Sequence, residues 1–205
     1  MRGRSDFSRQ SVVLVDAGGT NIGSVRYALQ RLGVDAQLTT DAATIRAADK
    51  VILPGVGAAG PGMARLRELQ LVEILRSLTQ PVLGVCLGMQ LLCAHSEEGD
   101  TECLGLIPAP VRRLIQAPGL RVPHMGWNDV RAMQPHPLLE GLREKDQAYF
   151  VHSYAVPTGE WTLATCQCGE PFSAVIARAN YLGMQFHPER SAAVGARLLR
   201  NFLSL

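Results

Sequence analysis

The sequence predicts an α/β fold, a parallel sheet with helices on both faces followed by a strand-rich C-terminal half. Three observations carry this. Short apolar runs of strand length alternate with helix-patterned segments through the first ninety residues, the rhythm of a parallel sheet with crossover helices. A cysteine, Cys86, stands between Gly84 and Gly88 where such a run hands over to a helix. After Cys93 the rhythm changes to short apolar segments separated by turn residues, the pattern of strands that are partly antiparallel.

The elements follow in order. Residues 1–10, MRGRSDFSRQ, read as a flexible polar leader. Ser11–Asp16 is a buried-type strand, Gly18 and Gly19 make a turn, and Asn21–Leu32 has apolar residues at helical spacing, Ile22, Val25, Leu29 and Leu32. Gly33 ends that helix. Val34–Leu38 is a second strand, Thr44–Ala48 a helical turn, Lys50–Leu53 a third strand, and Met63–Leu78 a helical region. Pro81 opens the fourth strand, which runs to Cys86, and Leu87–Leu92 starts a helix. Glu97–Asp100 is a polar loop. Val111–Ile115, Tyr149–Val151, Thr162–Cys166, Ser173–Arg178 and Tyr181–Gln185 are the later strand candidates, and Ser191–Leu203 is a closing amphipathic helix. Residues 11–205 read as a single domain, with no repeat or linker.

Composition narrows the class. An apolar share of 47% is that of a soluble globular protein, and a formal net charge of +2 gives no reason for a nucleic-acid or membrane surface. Five cysteines are an odd number, and the polar N-terminus lacks an apolar signal core. Together they suggest a reduced, cytoplasmic protein. Cys166 and Cys168 lie two apart without further ligands at metal spacing, so no metal site is expected.

Two glycine motifs mislead. Asp16–Asn21, DAGGTN, imitates the phosphate loop of sugar kinases, yet 205 residues leave little room for the second lobe such enzymes need. Gly55, Gly57 and Gly60 form a G-x-G-x-x-G, but Cys86 stands at the end of the next strand, where dinucleotide folds place an acidic residue. The helix after Gly60 also looks delayed by Pro61. PGVG is better read as a flexible backbone strip facing a nucleophile.

That nucleophile is Cys86. Flanking glycines at a strand-to-helix turn give the elbow geometry, and the helix N-terminus behind it favours thiolate. The alternative is a buried structural cysteine. A thiol nucleophile needs a base and a group that orients the base. His187 follows the apolar run YLGMQF, and Glu189 can fold back onto its ring around Pro188. Alone, such a triplet is also a common loop.

The conjunction is specific. GVCLGMQ, with GMQFHPE about a hundred residues later, resembles the class I, triad-type glutamine amidotransferases. LPGVGAAGPGM, PHMGWN, YFVHSYA and GEPF resemble, more narrowly, the glutaminase subunits of imidazole glycerol phosphate synthase in histidine biosynthesis. The resemblance runs from Ser11 to Leu205, with Arg190 where many relatives carry lysine. It implies an open, mostly parallel Rossmann-like sheet and hydrolysis of L-glutamine to glutamate and ammonia, with no cofactor. It implies a heterodimer with a cyclase subunit, a (β/α)8 barrel that consumes the ammonia. By the same resemblance Cys86, His187 and Glu189 are catalytic. Leu87 and Val56 supply the oxyanion hole, and Gly55 and Gly57 give the Val56 peptide its orientation. Gln90, His152, Ser153 and Tyr154 hold glutamine, largely through backbone. Asn21 and Trp127 face the partner. His152 is equally readable as a structural histidine, Trp127 as core and Asn21 as a helix cap. Other readings are a glutaminase serving a different synthase, or an inactive docking subunit.

Overall fold

The computed structural model describes residues 7, 9–18, 22–116 and 119–205. Strands and helices alternate through the first half: β1 (Val12–Val15), α1 (Ile22–Gln30), β2 (Gln37–Thr39), α2 (Ala42–Ala47), β3 (Lys50–Gly55), α3 (Ala59–Glu68), α4 (Val72–Arg76), β4 (Val82–Cys86) and α5 (Leu87–Leu92). The second half holds β5 (His95–Ser96), β6 (Thr101–Glu102), β7 (Pro110–Arg113), β8 (His124–Asp129), β9 (Arg131–Ala132), β10 (Gln147–His152) and β11 (Tyr154–Ala155). It closes with β12 (Thr162–Cys168), β13 (Glu170–Arg178), β14 (Tyr181–Met184) and α6 (Ala192–Leu203).

Among the described residues, eight strands form the main sheet in the order β2-β1-β3-β4-β14-β13-β12-β9. β2 to β14 run parallel, and β13, β12 and β9 add an antiparallel extension. The side-chain alternation of a strand sends its residues into two cores. Val12, Leu14, Ile52 and Leu83 pack with Val25 and Leu29 of α1 and Leu198 and Phe202 of α6. Val13, Val15, Val51 and Leu53 pack on the opposite face with Ile45 of α2, Met63 and Leu66 of α3 and Leu75 of α4. Each such side chain contributes about 1.5–3 kcal/mol by leaving water, and the two-sided burial is why these strands read as unbroken apolar runs. Phe7, within the segment read as a leader, is buried with the first cluster.

Several expectations change. α3 begins at Ala59 rather than after Pro61: the proline occupies the first turn, where no intrahelical N–H is needed. The region read as one helix to Leu78 is two, α3 and α4, separated at Gln70, whose φ is +56°. β2 starts three residues later than expected, because Val34 and Ala36 turn into the core and pairing begins only where Gln37 meets Val13. β8 and the two-residue strands were not anticipated. Asn21, together with Gly19 and Thr20 of DAGGTN, lies outside the described residues. No helix among the described residues is long and apolar enough to cross a membrane.

Candidate active site

β3 and β4 are parallel neighbours, with Gly55 opposite Cys86. PGVG and the cysteine therefore share one end of the sheet, as expected of an open α/β crevice. Cys86 adopts φ 53° and ψ −110°, a conformation that costs a non-glycine residue on the order of 1–3 kcal/mol. Close packing around it sustains the strain. A Cβ on Gly84 would lie 2.6 Å from the Gly88 carbonyl, and one on Gly88 would collide with the Leu53 carbonyl. α5 thus rests directly on the sheet. Gly55 belongs to the same contact, since a Cβ there would stand 2.9 Å from Gly88 N. Its place is behind the elbow, in a narrow pocket with Pro54, Val85 and His187, rather than against the substrate. Gly57 has open space around it but a φ of +101°, which suits glycine.

β14 runs parallel to β4, with Met184 opposite Val85. The chain leaving β14 therefore passes Cys86 and delivers His187. Nδ1 of His187 lies 2.8 Å from Oε1 of Glu189, and the carboxylate side chain is fully buried. The proline corner is a 3₁₀ turn, Pro188–Arg190. α6 backs it so closely that a Cβ on Gly195 would collide with the Pro188 carbonyl. Ser191 pins the turn, its Oγ donating to His187 O at 2.7 Å and accepting from Tyr149 N at 2.9 Å. Burial pushes the His187 pKa down. Hydrogen bonds and charge from Cys86 and Glu189 outweigh it and raise the value to about 10. His187 is thus an imidazolium, poised to give a proton to a leaving group.

In front of Cys86 opens a cleft of about 290 Å³. Val56, Gly57, Cys86, Leu87 and His187 line it together with Gln90, Glu98, Pro123 and the stretch Val151 to Tyr154. Of the expected site residues, Val56, Gly57, Cys86, Leu87, Gln90, His152, Ser153, Tyr154 and His187 thus meet in one place, with Gly55 and Glu189 outside its lining. Gln90 is buried and donates through Nε2 to Tyr154 O and to Gln185 Oε1, both at 2.9 Å. The His152 ring is engaged elsewhere, with Nδ1 2.9 Å from Tyr154 O and Nε2 3.0 Å from His124 Nδ1. Burial sends its pKa down to about 3, so it is neutral. His152 contributes backbone to the cleft and its imidazole to structure.

Three polar residues of this region escaped the sequence reading. Glu98, in the polar loop after α5, faces the cleft and accepts from Ala59 N at 2.9 Å; nothing in the sequence distinguishes it from Glu97. His124 sits inside PHMGWN and Gln185 inside GMQFHPE, so their motifs were visible but their contacts were not. Trp127 is 51% exposed on β8, which rules out the core reading. Its ring meets Tyr149, and Arg190 lies 4.9 Å over the Tyr149 ring.

A strained cysteine on a strand-to-helix elbow, with a histidine and a buried glutamate nearby, is an arrangement suited to thiol-based hydrolysis of an amide. The family model "Glutamine amidotransferase class-I" matches residues 13–205, and the chain belongs to that family. It is 59% identical over 194 residues to the imidazole glycerol phosphate synthase subunit HisH of Xanthomonas axonopodis pv. citri (strain 306), covering 95% of this chain and 97% of that protein. The protein of the same name from Xylella fastidiosa (strain Temecula1 / ATCC 700964) is 56% identical with the same coverage. Within class I, the chain is therefore a member of the HisH subunit family. A crystal structure of a glutamine amidotransferase, 22% identical, superposes with a TM-score of 0.74 over 94% of this chain and 97% of that one, a likeness of fold.

Proposed function

We propose that the chain hydrolyses L-glutamine within imidazole glycerol phosphate synthase, in the cytoplasm, and hands the ammonia to a barrel-shaped cyclase subunit for histidine biosynthesis. The observation that carries the chemistry is Cys86 and His187 lining the cleft, with the buried Glu189 behind the imidazole. The Cys86 thiolate attacks the side-chain amide carbon. The tetrahedral oxyanion takes N–H donors from Leu87, next to the nucleophile, and from the Val56 strip. His187 protonates the departing nitrogen, the C–N bond breaks, and ammonia leaves a γ-glutamyl thioester. Water, deprotonated by the same imidazole, cleaves the thioester to glutamate and restores the thiol. Glu189 keeps the ring oriented and the imidazolium stabilised.

Other residues of the cleft supply recognition. Glu98 is the anionic group facing the cleft, suited to the α-ammonium of glutamine. Gln90 commits Nε2 to Tyr154 O and Gln185, which leaves its Oε1 as a further acceptor for that ammonium. Backbone around Ser153 and Tyr154 suits the α-carboxylate. Trp127 and Met125, both exposed on β8, form with Tyr149 and Arg190 a surface suited to the cyclase subunit.

The test is Cys86→Ala in the assembled synthase. Glutamine-dependent product formation should vanish, while synthesis from an added ammonium salt continues at the partner's site. Retained glutamine-dependent synthesis would remove Cys86 from the mechanism.

A further inference from the structure

His124 and His152 are buried, touch each other, and take no part in the chemistry above. Their protonation can be deduced from backbone groups at one end of the chain of contacts. Asn128 lies on β8. Its Oδ1 accepts from the backbone N–H of Asp129 at 2.8 Å, and its Nδ2 donates to the Gln167 carbonyl at 2.9 Å. A backbone donor and a backbone acceptor thus fix the amide orientation. The same Nδ2 lies 3.1 Å from Nε2 of His124, so that nitrogen must accept and the ring proton must sit on Nδ1. Nδ1 of His124 then donates to Nε2 of His152 at 3.0 Å. His152 in turn carries its proton on Nδ1 and donates to Tyr154 O at 2.9 Å.

The second half of the chain is fixed in the same way. Gln90 Nε2 donates to that Tyr154 carbonyl, so it is the nitrogen, and Gln185 must turn Oε1 toward it. Nε2 of Gln185 is then left facing the sulfur of Cys86 at 3.9 Å. From Asn128 to Cys86 every link has one permitted direction. Burial lowers the pKa of both rings, His152 to about 3, which keeps each at one proton. A second proton on either facing Nε2 would set donor against donor.

We propose that His124, acting through His152, is a positioning residue for glutamine: the pair carries a one-directional hydrogen-bond relay from β8 to the Tyr154 carbonyl, and Gln90 and Gln185 extend it to Cys86. The Tyr154 carbonyl accepts from both His152 and Gln90, so the relay holds together the recognition strip and Gln90. The outward face of β8 carries Met125 and Trp127 while His124 and Asn128 point inward, as the alternation of a strand requires. One strand therefore carries both the exposed surface and the start of the relay. The relay meets Cys86 at its far end, through Gln185 at 3.9 Å, so its loss at β8 weakens substrate binding more than turnover.

The inference rests on reading the cleft as the glutamine site. It is tested in the assembled synthase by steady-state glutamate release against glutamine concentration. His124→Phe keeps a ring against Phe150 and Phe172 and removes the relay. KM for glutamine should rise about tenfold, the scale of one buried polar group losing its partner, with kcat changed less than about threefold. Asn128→Asp, nearly isosteric, places an acceptor where a donor is required and should raise KM in the same way. Ammonium-dependent synthesis should be unchanged in both, which reports folding and assembly. An unchanged KM, or a fall confined to kcat, overturns the relay. Nitrogen-15 NMR of the unmodified chain tests it without any variant: both rings should be Nδ1–H tautomers at neutral pH, and an Nε2–H tautomer on either overturns it. If the unmodified complex releases no glutamate, the glutamine site itself is wrong. A normal unmodified complex beside normal variants removes the relay alone.

Discussion

Two histidines that line the cleft are buried to nearly the same degree, and one is charged while the other is neutral. His187 is 7% exposed and His152 6%, yet one is raised to about 10 and the other lowered to about 3. Burial pushes both down. The difference lies in what each ring meets. His187 faces the Glu189 carboxylate and the Cys86 sulfur. His152 faces a neutral imidazole and a carbonyl, and the nearby positive charge of His187 lowers it further. Equal burial thus yields an acid in one case and a fixed dipole in the other. Partners, rather than depth, separate the histidine proposed for catalysis from the structural one.

The largest test of that difference compares the two rings directly. His187→Asn should lower the glutaminase kcat by roughly 10²–10⁴-fold, the usual value of acid–base catalysis. His152→Asn should act mainly on KM. Equal losses of kcat would erase the distinction. Glu189→Gln sharpens it: the ring remains but loses its anionic partner. The kcat loss should be smaller than for His187→Asn, and the alkaline limb of the pH–rate profile should move to lower pH, because the imidazolium gives up its proton more readily. An unmoved limb would mean that Glu189 does not charge the ring.

A smaller effect should appear in stability. The folded pKa of His187 lies above the ordinary 6.5, so its contribution is complete below 6.5 and is lost as pH rises through about 10. That of His152 lies below 6.5, so its contribution is complete above 6.5 and is lost as pH falls toward about 3. The two histidines limit stability from opposite sides. Urea midpoints measured across pH should show a shallower alkaline decline in His187→Asn and a shallower acid decline in His152→Asn. If either variant keeps both slopes, the corresponding shift is not a property of that ring.

The same contrast explains what the sequence disclosed. The constellation proposed for catalysis is local. Gly84, Cys86 and Gly88 lie within five consecutive positions and His187 and Glu189 within three, and the glycines are required because backbone passes where a side chain would stand. Such constraints leave a contiguous trace. The residues proposed for recognition, 90, 98, 124, 152 and 185, come from five separate segments, and β8–β10 pairing joins only His124 to His152. Their hydrogen bonds join positions up to 95 residues apart, and no periodicity marks them. Buried strands such as β1, β3 and β4 were legible because both faces are apolar. β8 was not, because His124, Gly126 and Asn128 face inward where an apolar alternation would be sought. Pro61 misled because a proline in the first turn of a helix resembles a break.

The conformation of Cys86 makes the protein's reactivity and its durability compete. A side chain at φ 53° is held there by its surroundings, and any Cβ at this position bears the strain whether or not it carries sulfur. Cys86→Ala keeps the burden; Cys86→Gly sheds it. Glycine ordinarily costs about 0.5–1 kcal/mol relative to alanine, but where φ is positive the order should reverse. Both proteins lack the nucleophile, so a calorimetric comparison isolates the backbone: the glycine form should melt at the higher temperature. The reverse order would mean that the elbow is relaxed. A higher melting temperature for the glycine form would show selection for activity holding a less durable chain in place of a sturdier, inert one.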